Sequence, residues 1–142
     1  VFNFISSWFV YGKSIEVPAK ETFECNPKGF YSITKKCAED LIISFCNTFN
    51  KKYRILRLCN ILGKGDKNVS AKKNALTWMI KRLKVNESIK IYDNGESVRD
   101  ILHVKDACRA IELICAKGDY NQIYNIGSGR PTKIGNFIGE QN

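Results

Sequence analysis

The sequence predicts an α/β fold built on a parallel sheet. Short apolar segments at residues 2–7, 53–59 and 122–126 read as strands, and the segments between them place apolar residues at helical spacing. The chain has 142 residues, 44% of them hydrophobic, which is enough for an ordinary domain with a real core. No internal repeat is visible.

Residues 2–7 are apolar and end in Ser6-Ser7, as a buried strand running to its terminus would. Residues 12–29 carry Gly, Pro, Lys and Glu without apolar period and read as a loop, with Pro27 suited to a helix start. From Tyr31 to Phe49 the positions Ile33, Cys37, Leu41, Ile42, Phe45, Cys46 and Phe49 follow a helical period. Residues 53–59 form the next strand, followed by an Asn60-Ile-Leu-Gly63 turn. Residues 64–73 are polar and basic, a loop. Residues 74–84 read as a short amphipathic helix with Leu76, Met79, Ile80 and Leu83 on one side. Ile89 to Tyr92 reads as a strand closed by the turn signal Asp93-Asn94-Gly95, and Val98 to Val104 as extended or irregular. Residues 105–116 are helical, with Ala107, Ile111, Ile114 and Cys115 inward. Gln122 to Ile126 is a strand that Gly127-Ser-Gly129-Arg-Pro131 breaks before a last helix begins.

Bulk composition excludes several classes. No run approaches the roughly 20 apolar residues of a membrane span. Val1 to Ile5 lacks the flanks of a signal peptide and opens mid-strand without an initiator Met, so a piece of a longer, cytoplasmic protein is expected. Six cysteines without a C-x-x-C pair, and a single His103, read as reduced thiols rather than as zinc ligands. The formal net charge of +9 comes mostly from dispersed lysines. It suits a solvated surface or a phosphate-bearing small molecule better than a nucleic-acid groove.

One spacing carries chemistry. Tyr31 and Lys35 stand one helical turn apart on one face. An ammonium there favours a phenolate, and such a phenol can exchange a proton with a sugar hydroxyl or keto group. Ser7, at the end of the preceding strand, supplies a hydroxyl where open α/β sheets place their ligands. The same residues also suit a plain amphipathic helix and a satisfied strand end, so the spacing alone decides little.

The order of further motifs decides more. Ser6-Ser7-x-x-x-Tyr11-Gly12 is followed by Tyr31-x-x-x-Lys35 with Glu39. Arg57-x-x-Asn60-x-x-Gly63, Arg99-Asp100-x-x-His103-Val104 and Tyr124-Asn125-x-Gly127-x-Gly129 come after. This series resembles the extended short-chain dehydrogenase/reductases, the NAD-dependent epimerase/dehydratase family acting on nucleotide sugars. The resemblance implies the second half of a Rossmann-type domain at 1–63 and a smaller α/β substrate lobe at 64–142, with residues of about 98–126 returning to the first domain. It implies NAD or NADP as cofactor and a nucleotide sugar as substrate. Ser7 would bond the reacting sugar oxygen, Tyr31 would act as its acid/base, and Lys35 would assist the tyrosine and hold the nicotinamide ribose. Leu58 would pack near the nicotinamide, Asn60 would meet the diphosphate, and Arg99 would clamp the nucleotide. Asp100, His103, Tyr11, Gly12 and Asn125 are assigned to structure.

Two departures from the family pattern narrow the expectation. Trp8 and Phe9 stand where the family's 4,6-dehydratases carry an Asp-Glu pair, and neither ring can move a proton. Epimerase or keto-sugar reductase is therefore favoured over dehydratase. The Gly-rich turn for the cofactor pyrophosphate is absent from these residues; Gly127-Ser-Gly129 lacks the third glycine because Thr132 holds its place. The chain alone is expected to be inactive. The rival is a non-catalytic RNA- or nucleotide-binding protein on the same fold. A homodimer of the full-length enzyme is expected, with Phe45 and Phe49 as candidate contact residues.

Overall fold

The computed structural model describes residues 1–12, 18–65, 69–70 and 74–139. The loops expected at 12–29 and 64–73 lie partly outside them. The chain divides into two compact units, one of residues 1–59 and 105–127, the other of residues 60–104 and 128–142.

The first unit is a three-stranded parallel sheet in the order β1 (Phe2–Ser7), β2 (Tyr53–Leu58), β5 (Gln122–Ile126). Helix α1 (Phe30–Thr48) links β1 to β2, and α3 (Val104–Lys117) precedes β5. Parallel neighbours need such crossovers, so the strand–helix alternation in the sequence translates directly into this topology. Register explains the core. Phe4, Ile55 and Ile123 are partners across the three strands and form one apolar row. With Tyr53 they meet Ile42, Ile43 and Cys46 of α1.

The next row towards the C-terminal ends of the strands repeats the same face two residues on and is polar: Ser6, Arg57 and Asn125. Glu39 of α1 is buried over this row. The inward face of α1 is therefore Ser32, Glu39, Ile42, Ile43 and Cys46. Ile33, Leu41, Phe45 and Phe49, also at helical spacing, are exposed.

The second unit holds β3 (Asn60–Leu62) parallel to β4 (Val98–His103), with β6 (Pro131–Lys133) antiparallel on the far side of β4. Asn60 to Leu62, expected as a turn, is thus a strand, and Val98 to His103 is regular. The chain returns to the first unit only at Lys105. Ile89 to Tyr92 forms no strand. Ile89 and Ile91 instead pack against Met79 of α2 (Ala75–Leu83) and Ile134 and Ile138 of α4 (Ile134–Gly139). Gly95, at φ +77°, approaches Gly135 so closely that a Cβ would stand 2.7 Å from its Cα. Among the described residues no helix is long and apolar enough to cross a membrane.

Candidate active site

The site begins where β1 ends. Ser7 lies beside Leu58 in the register, and Leu58 beside Ile126, so these three mark the C-terminal edge of the parallel sheet. Ligands of open α/β sheets bind at this edge. Ser7 has extended backbone and caps a short 3₁₀ turn, Trp8–Tyr11, its Oγ accepting from the Phe9 amide at 3.3 Å. That bond uses the oxygen as acceptor and leaves the hydroxyl hydrogen to donate elsewhere.

The 3₁₀ turn faces two ways. Val10 and Tyr11 are buried, while Phe9 is 47% exposed. Phe9 stacks on Trp8, with centroids 4.5 Å apart, and meets the Tyr31 ring edge-on at 6.2 Å and 86°. The turn closes at Gly12, whose φ of +69° and 2.0 Å Cβ-to-Asn26-carbonyl approach leave room for glycine alone.

Tyr31 occupies the first turn of α1, after Gly29 at the helix start, and is 56% exposed. Lys35, one turn on, places its ammonium 5.9 Å from the Tyr31 ring centroid and 5.0 Å from that of Phe4. It donates to the Ile5 carbonyl at 2.8 Å. Among the described residues no hydrogen bond joins the Tyr31 phenol to Ser7 or Lys35. The Ser7 oxygen accepts from its own turn and Lys35 donates one bond to the β1 backbone, so the three groups form no hydrogen-bonded triad among the described residues. An ammonium carries three donors, and the Ile5 carbonyl takes one.

Beneath these residues lies a buried network that the motif letters did not reveal. Glu39 is 0% exposed and Arg57 3%. Arg57 meets Glu39 in a bidentate pair, Nη2 to Oε2 at 2.7 Å and Nε to Oε1 at 3.1 Å. Ser6 donates to the same carboxylate at 2.5 Å. Arg57 Nη1 donates to the Tyr11 hydroxyl at 2.8 Å, and that hydroxyl donates to Asn125 Oδ1 at 2.7 Å. Asn125 in turn holds the loop, its side-chain Nδ2 donating to the Ala19 carbonyl at 2.9 Å and its backbone N–H to the Glu21 carboxylate at 2.8 Å. Burial works against the Arg57 charge, but hydrogen bonds to Glu39 and Tyr11 outweigh it and hold the pKa above its ordinary value. Burial raises the Tyr11 phenol, only partly opposed by Arg57. A charge in the middle of an apolar strand is itself a signal that a partner faces it, and Arg57 between Leu56 and Leu58 carries that signal.

In the second unit Asn60 donates to the Asp100 carbonyl at 2.9 Å, and Arg99 Nη1 to the Val98 carbonyl at 2.7 Å. These two predicted residues stand on adjacent strands. The Asp100 carboxylate accepts from the Ser128 amide and hydroxyl and from the Gly129 amide, at 2.9, 2.7 and 3.0 Å. The Gly127-Ser-Gly129 turn thus spends its amides on an internal carboxylate rather than presenting them to a phosphate.

The first unit thus combines a parallel α/β sheet, a serine at one strand end, and an exposed tyrosine and a lysine one turn apart on the following helix. Residues 1–127 match the NAD dependent epimerase/dehydratase family, and the chain belongs to that family. It is 31% identical over 125 residues to the low-salt glycan biosynthesis protein Agl12 of Haloferax volcanii, covering 88% of this chain and 39% of that protein. It superposes on a UDP-glucose 4-epimerase of Thermotoga maritima solved with UDP-glucose, with a TM-score of 0.84 and 28% identity, over 99% of this chain and 45% of that one. It also superposes on RMD from Pseudomonas aeruginosa complexed with NADPH, with a TM-score of 0.82 and 27% identity, over 97% and 48%. The chain therefore spans less than half the length of these relatives. The family is NAD(P)-dependent, and relatives are solved with NAD or NADPH. The residues present fit one end of such a group: Lys35 has donors to spare, and Leu58 offers an apolar side chain at the sheet edge.

Proposed function

We propose that this chain is the acid/base part of a nucleotide-sugar epimerase or keto-sugar reductase, with Tyr31 as the group that moves the proton. The carrying observation is the exposed Tyr31 phenol at the C-terminal edge of a parallel sheet, flanked by Lys35 and by the end of the strand that carries Ser7. Tyr31 takes the proton from a sugar hydroxyl as its carbon is oxidised to a ketone, and returns it when the ketone is reduced. Ser7 bonds the same oxygen. The positive charge of Lys35 steadies the negative charge that develops on the phenol oxygen. Lys35, Tyr31 and Leu58 would hold NAD or NADP, which would supply hydride acceptance and return when bound. Asn60 and Arg99 would hold the diphosphate and nucleotide, for which a guanidinium fork is well suited.

Dehydration would need a second proton-moving group beside Tyr31. The two residues after Ser7 are a stacked Trp and Phe, which favours epimerisation or ketone reduction. The full-length protein would act as a homodimer; the exposed Phe45 of α1 and Phe49 just past its end support a contact there. The test is incubation of the full-length protein and of this 142-residue chain with UDP-glucose, dTDP-glucose or GDP-mannose and NAD or NADP. The expected result is conversion by the full-length protein without loss of water, and none by the 142-residue chain. Formation of a 4-keto-6-deoxy sugar from dTDP-glucose would instead establish the dehydratase.

A further inference from the structure

We propose that Phe9, backed by Trp8, is a stacking wall for the pyranose ring of the substrate and selects the sugar face that meets Tyr31. The proposal rests on the reading of Tyr31 as the sugar acid/base. It adds a binding and specificity role for a side chain that has no acid/base function.

Phe9 is held as a fixed element. Its amide donates to Ser7 Oγ at 3.3 Å, and its carbonyl accepts from the Gly12 amide at 3.1 Å. The next two residues, Val10 and Tyr11, are buried, and Tyr11 is tied to the Arg57 network. The backbone beneath Phe9 is therefore committed on both sides, yet the residue remains nearly half exposed, beside an exposed Tyr31. Trp8 stacks behind it at 4.5 Å with a 28° tilt, restricting how far the ring can turn away. Its edge contact with Tyr31 places the wall against the proposed proton-moving group.

A pyranose ring matches this arrangement. One face carries C–H bonds whose partial positive charge complements the negative face of an aromatic ring. Its rim carries the hydroxyls that Ser7 and Tyr31 would engage. Trp8 and Phe9 offer no carboxylate or hydroxyl that could compete for those hydroxyls or eliminate one. The wall thereby enforces orientation through shape and leaves the hydrogen bonding to Ser7 and Tyr31.

The experiment measures calorimetric affinities of the full-length protein for UDP-glucose, dTDP-glucose and GDP-mannose, beside UDP, dTDP, GDP and NAD. Phe9→Ala is expected to weaken the best sugar nucleotide about tenfold, with the matching free nucleotide and NAD unchanged. Phe9→Leu, which fills similar space without an aromatic face, should show much of the same loss, and Phe9→Tyr should retain affinity. Unchanged sugar-nucleotide binding in Phe9→Ala would overturn the proposal. A loss confined to NAD would do so too, by putting the nicotinamide on the wall. A wild-type protein that binds free nucleotide as well as sugar nucleotide would remove the sugar site itself, and the wall with it.

Discussion

Tyr31 and Glu39 lie on the same helix, two turns apart, and occupy opposite environments. Tyr31 is 56% exposed and makes only ring contacts through its side chain among the described residues, with Phe9 and Lys35. Glu39 is 0% exposed, and its two oxygens are committed to Arg57 and Ser6. The network around Glu39 binds α1 to the ends of β1 and β2, and through Tyr11 and Asn125 to β5 and the loop at Ala19–Glu21. One part of the helix is fixed by saturated polar contacts, and the other presents an uncommitted phenol. A residue that must exchange protons with a ligand has to keep its hydrogen-bonding capacity open, and the rigidity it requires comes from neighbours that do not.

Substitutions that sharpen this contrast rank by how much buried charge they disturb. Glu39→Ala leaves a buried guanidinium without its counter-ion and should cost about 3–5 kcal/mol in urea unfolding of the full-length protein. A loss below about 1 kcal/mol would mean that the pair does not anchor α1 to the sheet. Tyr11→Phe removes one donor and one acceptor from the same network and should cost about 1–3 kcal/mol. That difference has a pH dependence. Burial raises the folded-state pKa of the Tyr11 phenol, so its contribution is complete below the unfolded value near ~10 and is lost as pH rises through the folded value. Unfolding midpoints of wild type and Tyr11→Phe should therefore converge above pH ~10. Lys36→Ala breaks only the exposed pair with Asp40 one turn on and should change stability by roughly 0.2–0.5 kcal/mol.

The sheet was legible because its strands are apolar and its crossover helices have the right length and period. The second unit was less so. Asn60-Ile-Leu is too short and opens on too polar a residue to look like a strand, and its pairing with β4 is a tertiary event. Ile89 and Ile91 alternate as a strand would, yet their side chains are satisfied by packing on Met79, Ile134 and Ile138, so no ladder is required. In α1 the apolar period was real, but part of it marks exposed positions, because the inward face must also place Glu39 over Arg57. At the site, Tyr31 and Lys35 were readable from spacing and Ser7 from its place at a strand end. Arg57 and Glu39 were visible as motif letters without a partner, since 18 residues separate them in sequence and only the β1–α1–β2 crossover brings them together. Phe9 was readable as a missing acid; its contact with Tyr31 depends on the 3₁₀ turn that no local pattern announced.

The proposed proton carrier is the exposed Tyr31 on a fixed helix. Tyr31→Phe in the full-length protein isolates it, because the substitution removes one hydroxyl that makes no hydrogen bond among the described residues. The measurement is kcat on the best sugar nucleotide, with the unfolding midpoint taken alongside. A fall in kcat of about 10²–10⁴-fold at an unchanged midpoint is the predicted result. An unchanged kcat would remove Tyr31 from the proton transfer.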